Sequence, residues 1–282
     1  MATHEAEFNE DPQDPPDSTM FRRRASSFGS EAAAYAEHRP DYPEAAVRWA
    51  LAPALAGGSG GSGGSPTAPG GTLRVLDLGA GTGKLSAVLV GLGHEVTAVE
   101  PDPDMLAELR ARVPDVAAAS GGAEDIPLAD GAVDAVLVGQ AFHWFDQRRA
   151  LPEIARVLRP GGVVAGLWNT DDDRVEWIAG LGRVSSSRVS FIDWSPDGGI
   201  EAHPSYSPVE RGDFTHRQPR TIDSLLATVA THSHVLVLEP AEREILLARV
   251  RNYLLTRPET AGGTFDLELV TRVQRCVRLG DA

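Results

Sequence analysis

The stretch Leu73-Arg74-Val75-Leu76-Asp77-Leu78-Gly79-Ala80-Gly81-Thr82-Gly83 decides the fold. Its first half is a short apolar run, which is typical of a buried strand. Three glycines at alternate positions follow, and a helical pattern then begins at Lys84. A strand that enters a helix through a glycine-rich turn lets backbone N–H groups approach a ligand. The stretch therefore predicts a nucleotide-like ligand at the carboxyl end of the first strand of a parallel α/β sheet.

The residues around these glycines narrow the class of ligand. A dinucleotide fingerprint has the form G-x-G-x-x-G, whereas Lys84 stands three residues after Gly81. The Asp77 carboxylate, two residues before the first glycine, would repel a pyrophosphate and suits a ligand with an ammonium group. No G-K-[ST] follows a four-residue gap, which excludes a Walker-type phosphate loop. A nicotinamide-dependent oxidoreductase stays open as an alternative, although the missing third glycine disfavours it.

Further strand and helix patterns follow the glycine turn in alternation. The run 95–100 reads as a second strand that ends at Glu100, whose carboxylate can hold both ribose hydroxyls of an adenosine. Val133–Val138 and Val163–Trp168 read as the fourth and fifth strands, with a helix between them. Near the end of the chain, the alternating pattern of Thr264–Val277 predicts a last strand beside a sixth one.

The order of these motifs resembles the class I S-adenosylmethionine-dependent methyltransferases, specifically those with a methyltransferase type 11 domain. The shared motifs are D-x-G-x-G-x-G from Asp77, the strand-final Glu100, A-E-D-x-P from Ala123 and L-R-P-G-G from Leu158. Within this family, A-F-H-W-F-D from Ala141, together with Phe28, Tyr35 and R-P-D-Y-P from Arg39, resembles the small-molecule branch that includes trans-aconitate methyltransferase-like proteins. The resemblance implies an α/β, Rossmann-like, doubly wound seven-stranded sheet that is mainly parallel with an antiparallel last strand.

The resemblance also implies an order of parts along the chain. Residues 1–27 are expected to form a disordered acidic, proline-rich tail, and residues 28–282 a single methyltransferase domain. That domain is expected to contain N-terminal lid helices (28–56), a Gly/Ser-rich flexible loop (57–71), a cofactor-binding core (72–169) and a C-terminal part with a substrate-cap insertion and the last strands (170–282).

Cofactor contacts are carried over motif by motif. Asp77 and Gly79 are expected near the methionine ammonium group, Glu100 at the ribose, and Gln140 beside the sulfonium. The full set implied for S-adenosylmethionine is Asp77, Gly79, Ala80, Gly81, Gly83, Glu100, Ala123, Glu124 and Gln140. Gly122 departs from the Asp or Asn that family members often have there, so the contact with the adenine edge differs at this position.

His143 and Trp144 are the candidate catalytic residues, because they follow the fourth strand at the edge where acceptors bind in this fold. His143 either acts as a general base, steers an acidic substrate as a hydrogen-bond donor, or only packs the floor of the pocket with Trp144. Tyr35 and Arg39 are the candidate substrate contacts in the lid. Arg39 would hold an acceptor carboxylate, and the alternative is that it pairs with a surface acid.

Composition limits the partners of the chain. The net charge of −14 argues against nucleic acid, no apolar run reaches the length of a membrane span, and the lone Cys276 fits a reducing compartment. No metal is expected, because the histidines are dispersed and Asp171-Asp172-Asp173 reads as solvated acids before a helix. We therefore expect a cytoplasmic monomer or homodimer that methylates a small molecule, for example on a carboxylate. A non-catalytic module that binds S-adenosylmethionine is the alternative from another class.

Overall fold

A seven-stranded mixed sheet organises the computed structural model, which describes residues 39–57, 71–186 and 199–280. The strands, in the spatial order β3-β2-β1-β4-β5-β7-β6, are β1 (Arg74–Leu78), β2 (Glu95–Val99), β3 (Ala117–Ala119), β4 (Val133–Gly139), β5 (Leu158–Asp171), β6 (Glu210–Thr221) and β7 (Thr264–Val277). The described helices are α1 (Glu44–Gly57), α2 (Lys84–Gly91), α3 (Pro103–Arg112), α4 (Gln147–Val157), α5 (Glu176–Ser185), α6 (Ile222–Ala230), α7 (Ser233–Leu236) and α8 (Pro240–Leu255). The predicted fold class, a doubly wound α/β sheet of seven strands, is confirmed.

Strands β1 to β5 are parallel, and β7 runs antiparallel to both of its neighbours. Thr271 of β7 pairs with Asn169 of β5 on one side and with Phe214 of β6 on the other. The expected antiparallel last strand is therefore confirmed. Since parallel strands share one carboxyl edge, residues that follow β1, β2, β4 and β5 converge on the same side of the sheet.

Strand β5 is longer than the predicted Val163–Trp168 segment. Val133 of β4 pairs with Leu158 and Ala135 pairs with Val163, so the R-P-G-G residues between them bulge out of the ladder. At the other end, β7 provides hydrogen-bonding partners as far as Asp171, which pairs with Leu269. The extra length thus comes from a strand that lies about a hundred residues further along the chain.

Three groups of buried apolar side chains hold the layers together. One lies between the sheet and helices α1, α2 and α3, and a second lies between the opposite face and α4. The third joins α5, α6 and α8 to the start of β7. In α8, Leu246, Val250 and Leu254 are buried, whereas Ile245 is 67% exposed.

Parts of the sequence prediction fall outside the described residues. These are the tail 1–27, Tyr35 with the first lid segment, most of the Gly/Ser-rich loop 57–71, and the stretch 187–198 of the cap insertion. The division of the chain into parts stays a prediction. Across the described ranges, no helix combines the length and the apolar character that a membrane crossing requires.

Candidate active site

A cavity of about 320 Å³ lies at the carboxyl edge of β1, β2 and β4. It brings together most of the residues that the sequence predicts as the site: Arg39, Asp77, Gly79, Ala80, Gly81, Glu100, Ala123, Glu124, Gln140 and Trp144. We call it the donor pocket. Gly83 and His143 lie outside it.

The glycine turn forms the floor of the donor pocket. Gly79 has a φ of 67°, and a Cβ there would lie 2.7 Å from the Cβ of Ala141, so only glycine fits without a shift. A Cβ on Gly81 would meet no atom of the described part of the chain within 4 Å. The free side of Gly81 therefore leaves room for a ligand to approach the backbone. Gly83 instead packs against Leu109, 2.9 Å from where its Cβ would be.

Asp77 is buried beneath this turn, with one carboxylate oxygen satisfied and one not. Its Oδ2 accepts a 2.6 Å hydrogen bond from Ser86 Oγ, whereas its Oδ1 is buried and has no hydrogen-bond partner among the described residues. Burial raises the pKa of Asp77 to about 7, and the nearby charge of Glu100 adds to the shift. A buried oxygen without a donor is costly, and an ammonium group in the donor pocket would supply the missing donor and favour the carboxylate.

Glu100 stands directly after β2 and is held by the backbone. Its Oε2 accepts from the Gly81 N–H at 2.8 Å, and its Oε1 accepts from the Asp102 N–H at 2.9 Å. Burial raises its pKa despite these two hydrogen bonds. Because each carboxylate oxygen can accept more than one hydrogen bond, the fixed carboxylate still has acceptor capacity for the hydroxyls of a ribose.

One wall of the donor pocket is built from the segment after β3. Ala123 is 3% exposed and packs into the core. Glu124 accepts a 2.9 Å hydrogen bond from the N–H of Asp146, the residue that caps α4. This bond fixes the loop relative to the helix, so Glu124 has a structural role whether or not it contacts a ligand.

Gln140 follows β4 with a backbone φ of 58°, the one positive φ among the described non-glycine residues. This conformation costs about 1–3 kcal/mol and is typical of functional sites. Its Nε2 donates to the Asn169 carbonyl at 2.8 Å, and its N–H donates to the Leu167 carbonyl at 2.9 Å. The two bonds to β5 hold Gln140 at the edge of the donor pocket.

A second cavity of about 680 Å³ adjoins the donor pocket, and we call it the acceptor chamber. Arg39, Pro40, Gln140, Trp144 and Asn169 line both cavities, so the two spaces meet along these five residues. His143 faces the acceptor chamber only, and its ring centre lies 4.6 Å from that of Trp144. Of the two predicted catalytic residues, Trp144 thus lies at the boundary between the cavities and His143 lies beyond it, in the acceptor chamber.

Asn169 is a residue that the sequence reasoning missed. Its Nδ2 donates to the carbonyls of Pro40 and Asp41, and its Oδ1 accepts a 2.6 Å hydrogen bond from Thr271 Oγ1. It therefore ties the segment before α1 to β5 and β7 directly above the donor pocket. The signal that could have found it is the change from apolar to polar residues after Trp168.

The acceptor chamber also contains Arg39, the predicted substrate contact, and two further histidines. Arg39 donates to the Thr231 hydroxyl at 3.1 Å and to the Thr231 carbonyl at 3.0 Å. His232 also faces the chamber, and burial, reinforced by the charge of Arg39, lowers its pKa well below the ordinary value. His234 stands 5.5 Å from His232, measured between the ring centres.

The three consecutive aspartates separate in the structure. Asp171 ends β5 and lines the chamber, and burial raises its pKa to about 6 although Arg39 and Arg220 lower it. Asp172 is buried and pairs with Arg174 at 2.7 Å. The expectation of a solvated acid is therefore wrong for Asp172, whereas Asp171 keeps an exposed side chain at the end of the strand that β7 extends. In the described ranges, no group of three or more His, Cys, Asp or Glu side chains could hold a metal ion.

Known proteins share this architecture and parts of this sequence. A family model described as a methyltransferase domain matches residues 76–166. A methyltransferase of Mycobacterium tuberculosis whose role is uncharacterized is 42% identical over 245 residues, covering 86% of this chain and 92% of that protein. A solved structure from Anaeromyxobacter dehalogenans, described as a candidate type II methyltransferase, has 26% identity and a TM-score of 0.57, and covers 86% of this chain and 99% of its own.

A shorter match involves a protein with a named acceptor. The malonyl-[acyl-carrier protein] O-methyltransferase of Pectobacterium atrosepticum is 42% identical over 94 residues, which are 33% of this chain and 37% of that protein. The full-length relative, the domain match over the glycine turn and the sheet order with its antiparallel β7 agree with one another. The chain therefore belongs to the class I S-adenosylmethionine-dependent methyltransferases.

Proposed function

We propose that this methyltransferase transfers the methyl group to a small molecule bound in the acceptor chamber. The observation that carries the proposal is the shared boundary of the two cavities, which is formed by five residues including Gln140 and Trp144. A chamber of about 680 Å³ lies within the usual range for small-molecule sites, which is roughly 300–1,000 Å³. The nicotinamide alternative drops out, since members of this family use S-adenosylmethionine.

The donor pocket is suited to S-adenosylmethionine by the groups that it contains. When bound, S-adenosylmethionine supplies a methyl group on a good leaving group, so the protein mainly has to position the two reactants. Asp77 would hold the ammonium group, since its buried Oδ1 has no other donor among the described residues. Glu100 would hold the ribose, Ala123 and Glu124 would line the adenine, and Gln140 would lie beside the sulfonium.

Trp144 and His143 would act on the acceptor side. Trp144 lines both cavities and limits where an acceptor can approach the donor. His143 faces only the chamber, which suits a proton acceptor or a hydrogen-bond donor to the substrate. Arg39 would contribute from the lid side, although Thr231 already accepts two of its hydrogen bonds.

A carboxylic acid is one candidate acceptor. Two likenesses support a carboxylic acid: the resemblance of the sequence to the trans-aconitate methyltransferase-like branch, and the partial match to a malonyl-[acyl-carrier protein] O-methyltransferase. Arg39 lines both cavities and is therefore a cation that a carboxylate at their boundary would meet.

Filling the chamber tests this function without touching the donor pocket. Gly182 of α5 lines the chamber, and a Cβ there would meet no atom of the described residues within 4 Å, so Gly182→Phe adds a side chain where those residues leave space. We expect at least a tenfold loss of tritium transfer from methyl-labelled S-adenosylmethionine to a panel of small phenols and carboxylic acids, with the donor affinity unchanged within twofold in calorimetry.

Gly91→Phe is the matched control, because it also adds a side chain to open space on a helix but lies outside both cavities. It should leave both quantities unchanged. Unimpaired transfer by Gly182→Phe, or labelling of protein or RNA instead of the small molecules, would contradict the proposal.

A further inference from the structure

Asp171 faces the acceptor chamber one step beyond its boundary with the donor pocket. Asn169, two residues earlier on β5, lines both cavities, whereas Asp171 lines the chamber alone. Residues two apart on a strand project to the same face and are separated by roughly 7 Å. An acceptor group that sits between the donor pocket and Asp171 would therefore lie within reach of both.

The carboxylate of Asp171 has no hydrogen bond and no ion pair among the described residues. The two arginines that influence it are engaged elsewhere. Arg39 donates to Thr231, and Arg220 donates to Gln218 at 2.7 Å. Its side chain is accessible and lines the chamber, and desolvation by the surrounding protein raises its pKa to about 6. A structural role would have paired this carboxylate, as Asp172 is paired with Arg174.

We infer that Asp171 is the general base of the methyl transfer and that the acceptor is a hydroxyl group on an otherwise apolar molecule. The inference rests on the proposed function, because it requires that the chamber holds the acceptor. It assigns the proton transfer to Asp171 and leaves His143 to orient the acceptor.

The charge balance of the chamber favours a neutral acceptor. Among the described residues, its lining carries two arginines, Arg39 and Arg183, and two aspartates, Asp171 and Asp173, whose formal charges cancel. A carboxylate acceptor would be repelled by Asp171, and an ammonium acceptor would face Arg39 across the same space. One part of the described wall is aliphatic, with side chains such as Leu225, Val229 and Leu267. A hydroxyl on an apolar skeleton matches both features.

A hydroxyl acceptor also requires the base that the chamber supplies. One carboxylate oxygen of Asp171 takes the hydroxyl proton while the acceptor oxygen forms its bond to the methyl carbon. The bond from that carbon to sulfur breaks, and its electron pair stays on the sulfur. Asp171 then releases the proton to water. His232 is a weaker base for this step, because its pKa is lowered well below the ordinary value.

Two ligands with the same ring and different acceptor groups test the inference by binding. The probes are 2-naphthol and 2-naphthoate, titrated by calorimetry at pH 8 into the protein saturated with S-adenosylhomocysteine. We expect the wild type to bind the naphthol at least tenfold more tightly than the naphthoate. Asp171→Asn, which keeps the shape and removes the charge, should reverse this preference.

Asp223→Asn is the control, since it removes the same charge from an exposed side chain on α6 outside the chamber. It should keep the preference of the wild type. With 2-naphthol as acceptor, Asp171→Asn should also lose about 10²–10⁴-fold in methyl transfer, the usual contribution of a general base, and Asp171→Glu should recover part of it.

The inference is overturned if the wild type prefers the naphthoate, binds neither probe, or keeps its preference in Asp171→Asn. These outcomes differ from failure of the proposed function. If the proposed function is wrong, Gly182→Phe would transfer methyl groups as well as the wild type does. That result does not depend on which residue stands at position 171.

Discussion

Replacing Asp77 with asparagine separates what this buried carboxylate does for the fold from what it does for the ligand. The pKa of Asp77 is about 7 in the folded state, against an ordinary value of 3.8. At a pH between these two pKa values, the Asp77 carboxyl is protonated in the folded chain and ionised in the unfolded chain. The free energy of unfolding therefore falls as the pH rises. At about 1.36 kcal/mol per pKa unit, the total loss is about 4 kcal/mol, of which about 3 kcal/mol falls between pH 5 and pH 8.

Urea unfolding of the wild type and of Asp77→Asn, without ligand, measures this loss. Asparagine has no charge to bury and its side-chain oxygen can still accept the hydrogen bond from Ser86. We therefore expect the wild type to lose about 3 kcal/mol more than the variant between pH 5 and pH 8. Other titrating groups are common to both proteins and cancel in the difference. Parallel pH profiles would refute the reasoning.

The same substitution should weaken donor binding. A hydrogen bond to a charged group contributes about 1.5–3 kcal/mol, so Asp77→Asn should bind S-adenosylmethionine about 10- to 100-fold less tightly. At pH 6 the wild type should also release close to one proton on binding, because the ammonium group favours the ionised carboxylate. Calorimetry in two buffers of different ionisation enthalpy counts this proton. Equal affinities and no proton release would remove Asp77 from the donor site.

Two predictions concern packing. Gly83→Ala should cost about 2–4 kcal/mol in urea unfolding, since its φ is +81° and the new Cβ would lie 2.9 Å from Leu109. Gly93→Ala, with a φ of +84° and open space around the Cβ, should cost only about 1–2 kcal/mol, and equal losses would show that the contact is harmless. Tyr206→Phe removes a 2.8 Å hydrogen bond to the Leu151 carbonyl and should cost about 1–3 kcal/mol. Its donor affinity should not change, and a weaker affinity would connect Tyr206 to the site.

Local pattern was sufficient to predict several strands and the glycine turn, whereas the seven-stranded sheet and the cofactor contacts were implied by the resemblance to the family. The apolar run before the glycine turn, the strand-final Glu100 and the alternation in Thr264–Val277 each depend on neighbours in sequence, and the fold uses all three as expected. Gln140 lies where its motif implied. Its positive φ could not be predicted from neighbouring residues, because the hydrogen bonds that hold this conformation go to Leu167 and Asn169 of β5, some 27 residues later in the chain.

The acceptor chamber could not be predicted, because its walls come from distant parts of the chain. Asp171 is indistinguishable from a solvated acid until α5, α6 and the start of β7 close around it. Asn169 likewise depends on Thr271 and on the Pro40 carbonyl, each more than a hundred residues away. Residues that are neighbours in sequence indicate where a strand ends, but they do not indicate which distant helices pack beside that end.

The position of β7 between β5 and β6 has a consequence for synthesis of the chain. Strand β6 pairs only with β7 in the described sheet, so it has no edge to join until residues 264–277 have been made. Strands β1 to β5 can assemble earlier, as their partners lie close together in sequence. Synthesis of residues 264–277 therefore completes the sheet, and a nascent chain stalled before Thr264 would hold β6 with its hydrogen-bonding groups exposed.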